Sequence, residues 1–311
     1  MVRKSIQALV MFFTCLTASG TLFADSVLVE NLNNSGAGTL RAAIDSANAN
    51  PGMDTIEFDA GLNGSIVLDS DLPQLNDDVL ISGPGAQIIT VSGNSLFQPF
   101  FVASDTTVAI SGLTITNGRS GIGGGIGNEG HLTVSECVLS NNYAETDGGA
   151  IDNFGGSLTV SQCTLTGNST GESGVGAGIS NAGSGTASII ESTFAANTAG
   201  FSGGAVDNNQ GTVTIVSSTL SANGAEYGGA VENVGTLTVR NSTLSGNIAT
   251  ETGGGIDNFI GEATVEFATM TENSAGSGGG IENTASMAIK NSLVVNNTAG
   301  GNLSLIHISE P

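Results

Sequence analysis

From about residue 111 onward, apolar residues recur in three short alternating runs per repeat. The first column is a single aliphatic: Ile126, Ile151, Ile179, Val206, Val231, Ile256 and Ile281. The second is an apolar-x-apolar pair, as in Leu132-x-Val134, Leu158-x-Val160, Val213-x-Ile215 and Leu237-x-Val239. The third is Leu139, Leu165, Phe194, Leu220, Leu244, Met270 and Val294, each three residues before an Asn. Period-two runs of this length, punctuated by Gly and Asn, predict strands joined by turns. The first column ends a Gly-rich step that closes on Asn seven times, from Gly123–Asn128 through Gly148–Asn153, Gly176–Asn181, Gly203–Asn208, Gly228–Asn233 and Gly253–Asn258 to Gly278–Asn283. Those Asn residues lie 25, 28, 27, 25, 25 and 25 positions apart. A fixed period in this range is the mark of a solenoid. Three strands per ~25 residues with no intervening helix predict an all-β parallel β-helix, its coils stacked at the ~4.8 Å strand spacing.

Energetics require the stack. One coil buries about four large aliphatics, at roughly 1.5–3 kcal/mol each. Ordering ~25 residues costs about 1–2 kcal/mol per residue of backbone. A lone coil loses, so its neighbours must supply the second wall and the hydrogen bonds. The two Asn columns fit a ladder of side-chain amides bonding from coil to coil at turns. The column Cys137, Cys163, Ser192, Ser218, Ser242, Ala268, Ser292 is uniformly small and faces the core. Cys137 and Cys163 should stack in adjacent coils. In-register parallel strands hold such side chains side by side, which favours two buried thiols over a disulfide.

The chain divides into four stretches. Residues 1–24 read as a secretory signal: Arg3 and Lys4, an apolar Ile6–Leu16 core too short to span a bilayer, and Leu22-Phe23-Ala24 before the cleavage point. Residues 25–110 keep strand-like runs (Thr55–Phe58, Ser65–Leu68, Val79–Ser82, Gln87–Val91) without the strict period. There Thr39 is set to N-cap a short amphipathic helix bearing Leu40, Ala43, Ile44 and Ala47, ending before Pro51-Gly52. Such a helix would plug the open end of the stack. Residues 111–302 are the regular repeats. From Leu303 the period stops, and Leu303–Pro311 looks like a translation of a common transposase sequencing adaptor, CTGTCTCTTATACACATCTCCGAGCCC, all nine codons matching. The expectation is that 303–311 is an adaptor artefact, that the C-terminus is truncated, and that any outer-membrane anchor is missing.

Val27–Phe58, with Gly36-Ala37-Gly38-Thr39-Leu40-Arg41-Ala42-Ala43-Ile44 and Asp54-Thr55-Ile56-Glu57-Phe58, resembles the N-terminal cap of bacterial right-handed parallel β-helix surface proteins. The repeats resemble the outer-membrane repeat family, which includes the polymorphic outer membrane proteins and is marked by the tetrapeptides GGAI and FxxN. Gly148-Gly149-Ala150-Ile151 and Phe194-Ala195-Ala196-Asn197 match literally, while other copies read LxxN. The resemblance covers about residues 27–300. It implies a right-handed coil, a pectin-lyase-like fold, and a surface-structural or adhesin-like role at the outer membrane, cell surface or outside the cell.

Charge narrows the partners. The 311 residues hold 28 Asp and Glu against six Lys and Arg, for a formal net charge of −22. Nucleic acid needs a basic stripe and is excluded. Glycans, basic protein surfaces and cations remain. The position after the first aliphatic column reads Gly127, Asp152, Ser180, Asp207, Glu232, Asp257, Glu282. Alternation places it outside. Asp207, Glu232, Asp257 and Glu282 on consecutive coils repel one another, and a hard cation such as Ca²⁺ would relieve that cost, as would solvent screening. No cofactor is required by this reading.

The expected role is non-catalytic binding. The main alternative is a carbohydrate-active enzyme, a polysaccharide lyase or a glycoside hydrolase using paired carboxylates of this column. Against it stand the absence of Trp, only two Tyr, and one His (His131) before the tail. Arg240, Glu266 and Lys290 form an alternating outward column that reads as cross-strand pairing, and Arg119 is left over. A third alternative is ice binding, from Thr columns such as Thr133, Thr159, Thr214, Thr238 and Thr264. Thr is equally a good exposed strand former.

Overall fold

The computed structural model describes residues 25–299, so the expected signal segment and the adaptor-like tail lie outside the described residues. The chain is a parallel β-solenoid of about eleven coils. Three long sheets run its length, with eleven, ten and eight strands, and every neighbouring pair in them is parallel and in register. The eleven-stranded sheet is built from runs like His131–Ser135, the ten-stranded one from runs like Val138–Ser140, and the eight-stranded one from runs like Ile126–Asn128. These are the three alternating runs of the sequence, one per wall. A fourth, shorter wall adds to them. Strands such as Tyr143–Asp147, Gly224–Tyr227 and Ile248–Thr252 lie just before the Gly-rich steps. The less periodic N-terminal stretch joins the same sheets, because Ser26–Val29, Asp54–Phe58, Val79–Ser82 and Thr107–Ser111 open the eleven-stranded wall.

One continuous apolar core fills the tube, with the three aliphatic columns inside it. The helix Leu40–Ala49 is the single helix among the described residues. The Thr39 hydroxyl accepts from the Ala42 N–H, as an N-cap should. Its buried face is Leu40, Ala43, Ile44 and Ala47, packed into the same core against the first two strands. The plug expected from the pattern is therefore present. Arg41 lies outside that face, donating to the carbonyls of Asn34, Ser70 and Asp71 and fastening the loops around the capped end.

Two asparagine ladders run along the corners. In one, each Nδ2 donates to the next Oδ1 from Asn128 through Asn153, Asn181, Asn208, Asn233 and Asn258 to Asn283, at 2.6–2.9 Å. In the other, Asn142, Asn168, Asn197, Asn223, Asn247, Asn273 and Asn297 do the same, and each Oδ1 also accepts the backbone N–H of the preceding Asn. Most of these amides are fully buried and all are bonded, so the ladders stabilise rather than penalise the interior.

The small column is a third ladder, which exceeds the expectation of mere small hydrophobes. The hydroxyls of Ser192, Ser218 and Ser242 accept the N–H of Cys163, Ser192 and Ser218 at 3.1 Å, and donate to the carbonyl two residues back. Cys137 and Cys163 stack here as free, buried thiols, the Cys163 sulfur standing 3.4 Å from the Cys137 nitrogen. The neighbouring Cys163 sulfur, and then burial, push the Cys137 thiol above its ordinary range.

The Gly-rich steps use glycine for two different reasons, although Ala177 takes the second place in the Gly176–Asn181 step. The first, as at Gly203, Gly228 and Gly253, has φ of +60 to +66° and turns the chain between walls. The second lies under the next coil. A Cβ on Gly229 would sit 2.5 Å from the Gly254 carbonyl oxygen.

Candidate functional site

The column after the first aliphatic residue does lie on the side of its wall away from the core, but not in solvent. Asp152, Asp207, Glu232 and Asp257 are buried, with Glu232 only 8% exposed, and Glu282 is partly buried. The expectation of a solvent-screened outer ladder is corrected on this point. The fourth wall stands beside the eight-stranded sheet, and between them runs a cleft of about 520 Å³. Asp207, Glu232, Asp257 and Glu282 form its floor. Residues just before the Gly-rich steps form one rim (Val175, Ser202, Tyr227, Thr252). Residues just after the Asn ladder form the other (Asn209, Val234, Phe259, Thr284).

Register holds the floor together. Asp207 pairs with Glu232, Glu232 with Asp257 and Asp257 with Glu282 in consecutive parallel strands. Three such steps give a floor about 14 Å long. The rim is registered too. Ser202 bridges to Tyr227, Tyr227 pairs with Thr252, and Thr252 bridges to Ser277.

Rim hydroxyls satisfy floor carboxylates five residues ahead. Ser202 Oγ donates to Asp207 Oδ2 at 2.5 Å, Thr252 Oγ1 donates to Asp257, and Ser277 Oγ donates to Glu282 Oε2 at 2.9 Å. The coil between them breaks the rule. Its rim residue is Tyr227, whose ring packs against Phe201 with centroids 5.2 Å apart. Glu232 is left with a buried Oε2 that has no hydrogen-bond partner among the described residues.

Protonation follows from this geometry. Burial pushes the Glu232 carboxyl up to about 9, with the charges of Asp257 and Asp207 adding to the effect. Burial raises Asp207 to about 6 despite the opposing bond from Ser202, and it raises Asp152 to about 6 despite the opposing bond from Ser180. Asp257 is raised by burial against the pull of Thr252. Like-charge repulsion along the floor is thus relieved by keeping a proton on Glu232. At neutral pH Glu232 is the protonated member of the floor, beside an Asp207 raised only to about 6.

The four residues singled out in the sequence are therefore brought together, one per coil. Among the described residues no group of three or more Asp, Glu, His or Cys side chains gathers as a metal centre would require. The rims were not legible. Tyr227, Phe201 and Phe259 give the cleft an aromatic lining that a count of two Tyr and no Trp does not suggest. The signal available was the residue preceding each Gly-rich step: Ser202, Tyr227, Thr252, Ser277. The other charged groups are ordinary. Arg240 and Lys290 each pair with Glu266 at 3.4 Å, as expected. Arg119 is not left over, since it pairs with Glu145 at 3.7 Å and lies 4.7 Å from the Tyr143 ring. No helix among the described residues is long and apolar enough to cross a membrane.

The chain matches no family model and no curated protein.

Proposed function

We propose that this chain is an exported β-solenoid, surface-displayed or secreted, with a structural and adhesin-like role, binding glycan or protein ligands through the acidic cleft without catalysis. The observation that carries the binding reading is the cleft itself. Here a groove with an acidic floor and aromatic rims includes an unpartnered buried carboxyl. The literal GGAI and FxxN tetrapeptides support a place in the outer-membrane repeat family, and the charged-then-apolar N-terminus supports export. Phe201 and Phe259 are 45% and 55% exposed, so replacing both by Ala should leave the fold intact. Retention of the purified protein on glycan- or protein-coated surfaces should fall in that double variant. Equal retention of both proteins would sink the reading. The floor is also proposed to accept a hard cation such as Ca²⁺, which predicts a melting temperature that drops with chelator and recovers with Ca²⁺.

One observation favours a second reading. Glu232, protonated at neutral pH and flanked by Asp207 and Asp257, meets the requirement for a general acid beside a carboxylate base or nucleophile, as glycoside hydrolysis needs. New reducing ends on a polysaccharide, abolished by Glu232→Gln, would establish hydrolysis. Double-bond formation on polyuronates would establish a lyase. Neither product would leave binding as the role.

A further inference from the structure

The cleft joins two features: a row of carboxylates and a flanking rim that includes apolar and aromatic side chains. A row of carboxylates alone would be weak grounds for a ligand. The second observation is the Glu232 carboxyl, 8% exposed, lining the cleft with Oε2 unpartnered. Its counterparts in neighbouring coils are each given a hydroxyl, and here the rim spends that position on Tyr227 instead. Local rules broken without internal compensation point to function.

We propose, building on the binding role given above, that the cleft is a site for an alkylammonium group, from a free polyamine or a lysine side chain of a partner protein. Glu232 gives up its proton and takes the ammonium, Asp207 and Asp257 lie on either side of it in register, and Phe201, Tyr227 and Phe259 flank its methylenes. The chemistry selects this class in three steps. A cation is the complement of an acidic floor in a chain of net charge −22, and it can take the place of the proton on Glu232, which a neutral sugar cannot. A bare Ca²⁺ would engage the oxygens of the floor and the polar rim residues but make no use of Val175, Val234 and the aromatic rings that share the lining. An ammonium on an alkyl stem satisfies both halves. It has three donors for the floor, methylenes for the apolar rim, and a charge that aromatic faces attract. Carboxylates repeat at one per coil step of ~4.8 Å, so ammonium groups three methylenes apart come closest to the register of the floor.

The test is calorimetric titration of the full protein with 1,3-diaminopropane, spermidine, a lysine-rich peptide and, as an uncharged control, 1,3-propanediol, in physiological salt. The amines should bind and the diol should not. Glu232→Gln should weaken amine binding by roughly tenfold or more, the scale of one charge-assisted bond. Because that variant alters a buried group, Phe259→Ser on the exposed rim serves as a second probe and should also weaken the amines. Preference for spermidine over the peptide would identify a free polyamine as the source, and the reverse a protein lysine. Amines that bind no better than the diol overturn the proposal, as does binding that neither variant weakens. If the amines fail while a glycan or Ca²⁺ still binds and loses affinity in Phe259→Ser or Glu232→Gln, this inference falls and the binding role stands. If no ligand responds to either variant, both fall.

Discussion

Replacing Glu232 by Gln keeps the shape of the side chain and removes its titration. The carboxyl stands at about 9 in the fold against an ordinary value of 4.5. Near pH 4 both the folded and unfolded chains hold the proton, and the group contributes nothing to stability. Between 4.5 and 9 the unfolded chain releases the proton while the folded chain keeps it, so stability falls as pH rises, by about 1.4 kcal/mol per pH unit. Above 9 both states are ionised and the loss levels off. At pH 7 the wild-type protein thus carries a penalty of about 3 kcal/mol that Gln lacks. The Gln amide can also donate to Asp207 or Asp257, the neighbours in register. Asp152 and Asp207, raised from 3.8 to about 6, lose stability over that lower window in both proteins and largely cancel in the comparison. Urea unfolding followed by far-ultraviolet circular dichroism at several pH values from 4 to 9 measures the difference. Glu232→Gln should match wild type near pH 4 and exceed it by about 3 kcal/mol at pH 7. A difference that is flat with pH, or a variant less stable than wild type at neutral pH, refutes the reasoning. A stabilised variant that binds ligand less well would show the carboxyl to be retained at a cost to the fold.

Other substitutions test the scaffold. Asn223→Ala removes the acceptor of the Asn197 N–H and Nδ2 and the donor to the Phe194 carbonyl, and should destabilise by about 2–4 kcal/mol in chemical denaturation. Ala268→Ser would supply the hydroxyl that the small column lacks in that coil, offering an acceptor to the Ser242 N–H; a gain of about 0.5–1.5 kcal/mol is expected, read as a raised melting temperature. Gly229→Ala drives a Cβ against the next coil's backbone and should cost at least about 1–3 kcal/mol. Gly246→Ala meets no neighbour and strains only a φ of +63°, for about 1–2 kcal/mol, so comparing the two melting temperatures separates coil spacing from dihedral strain.

The three walls, the plug helix and both asparagine ladders were readable in the chain. A solenoid turns sequence period directly into spatial register: Ile126, Ile151 and Ile179 stack because they recur at the same point of each coil. Alternation likewise told which side of the wall Asp207, Glu232, Asp257 and Glu282 occupy. It could not tell what lies above them, because period two describes one strand and its two faces, not what packs over the outer one. The fourth wall settles that. It sets Tyr227 and Phe201 beside the carboxylates, which takes them out of water, holds a proton on Glu232 and makes a cleft of what the pattern described as an open surface. Repetition along the chain therefore carried the architecture. The electrostatics of the site arose where the repeat breaks, at a Tyr in a position that neighbouring coils fill with Ser or Thr, and the consequence of that exchange depends on distances across the coil that no spacing along the sequence records.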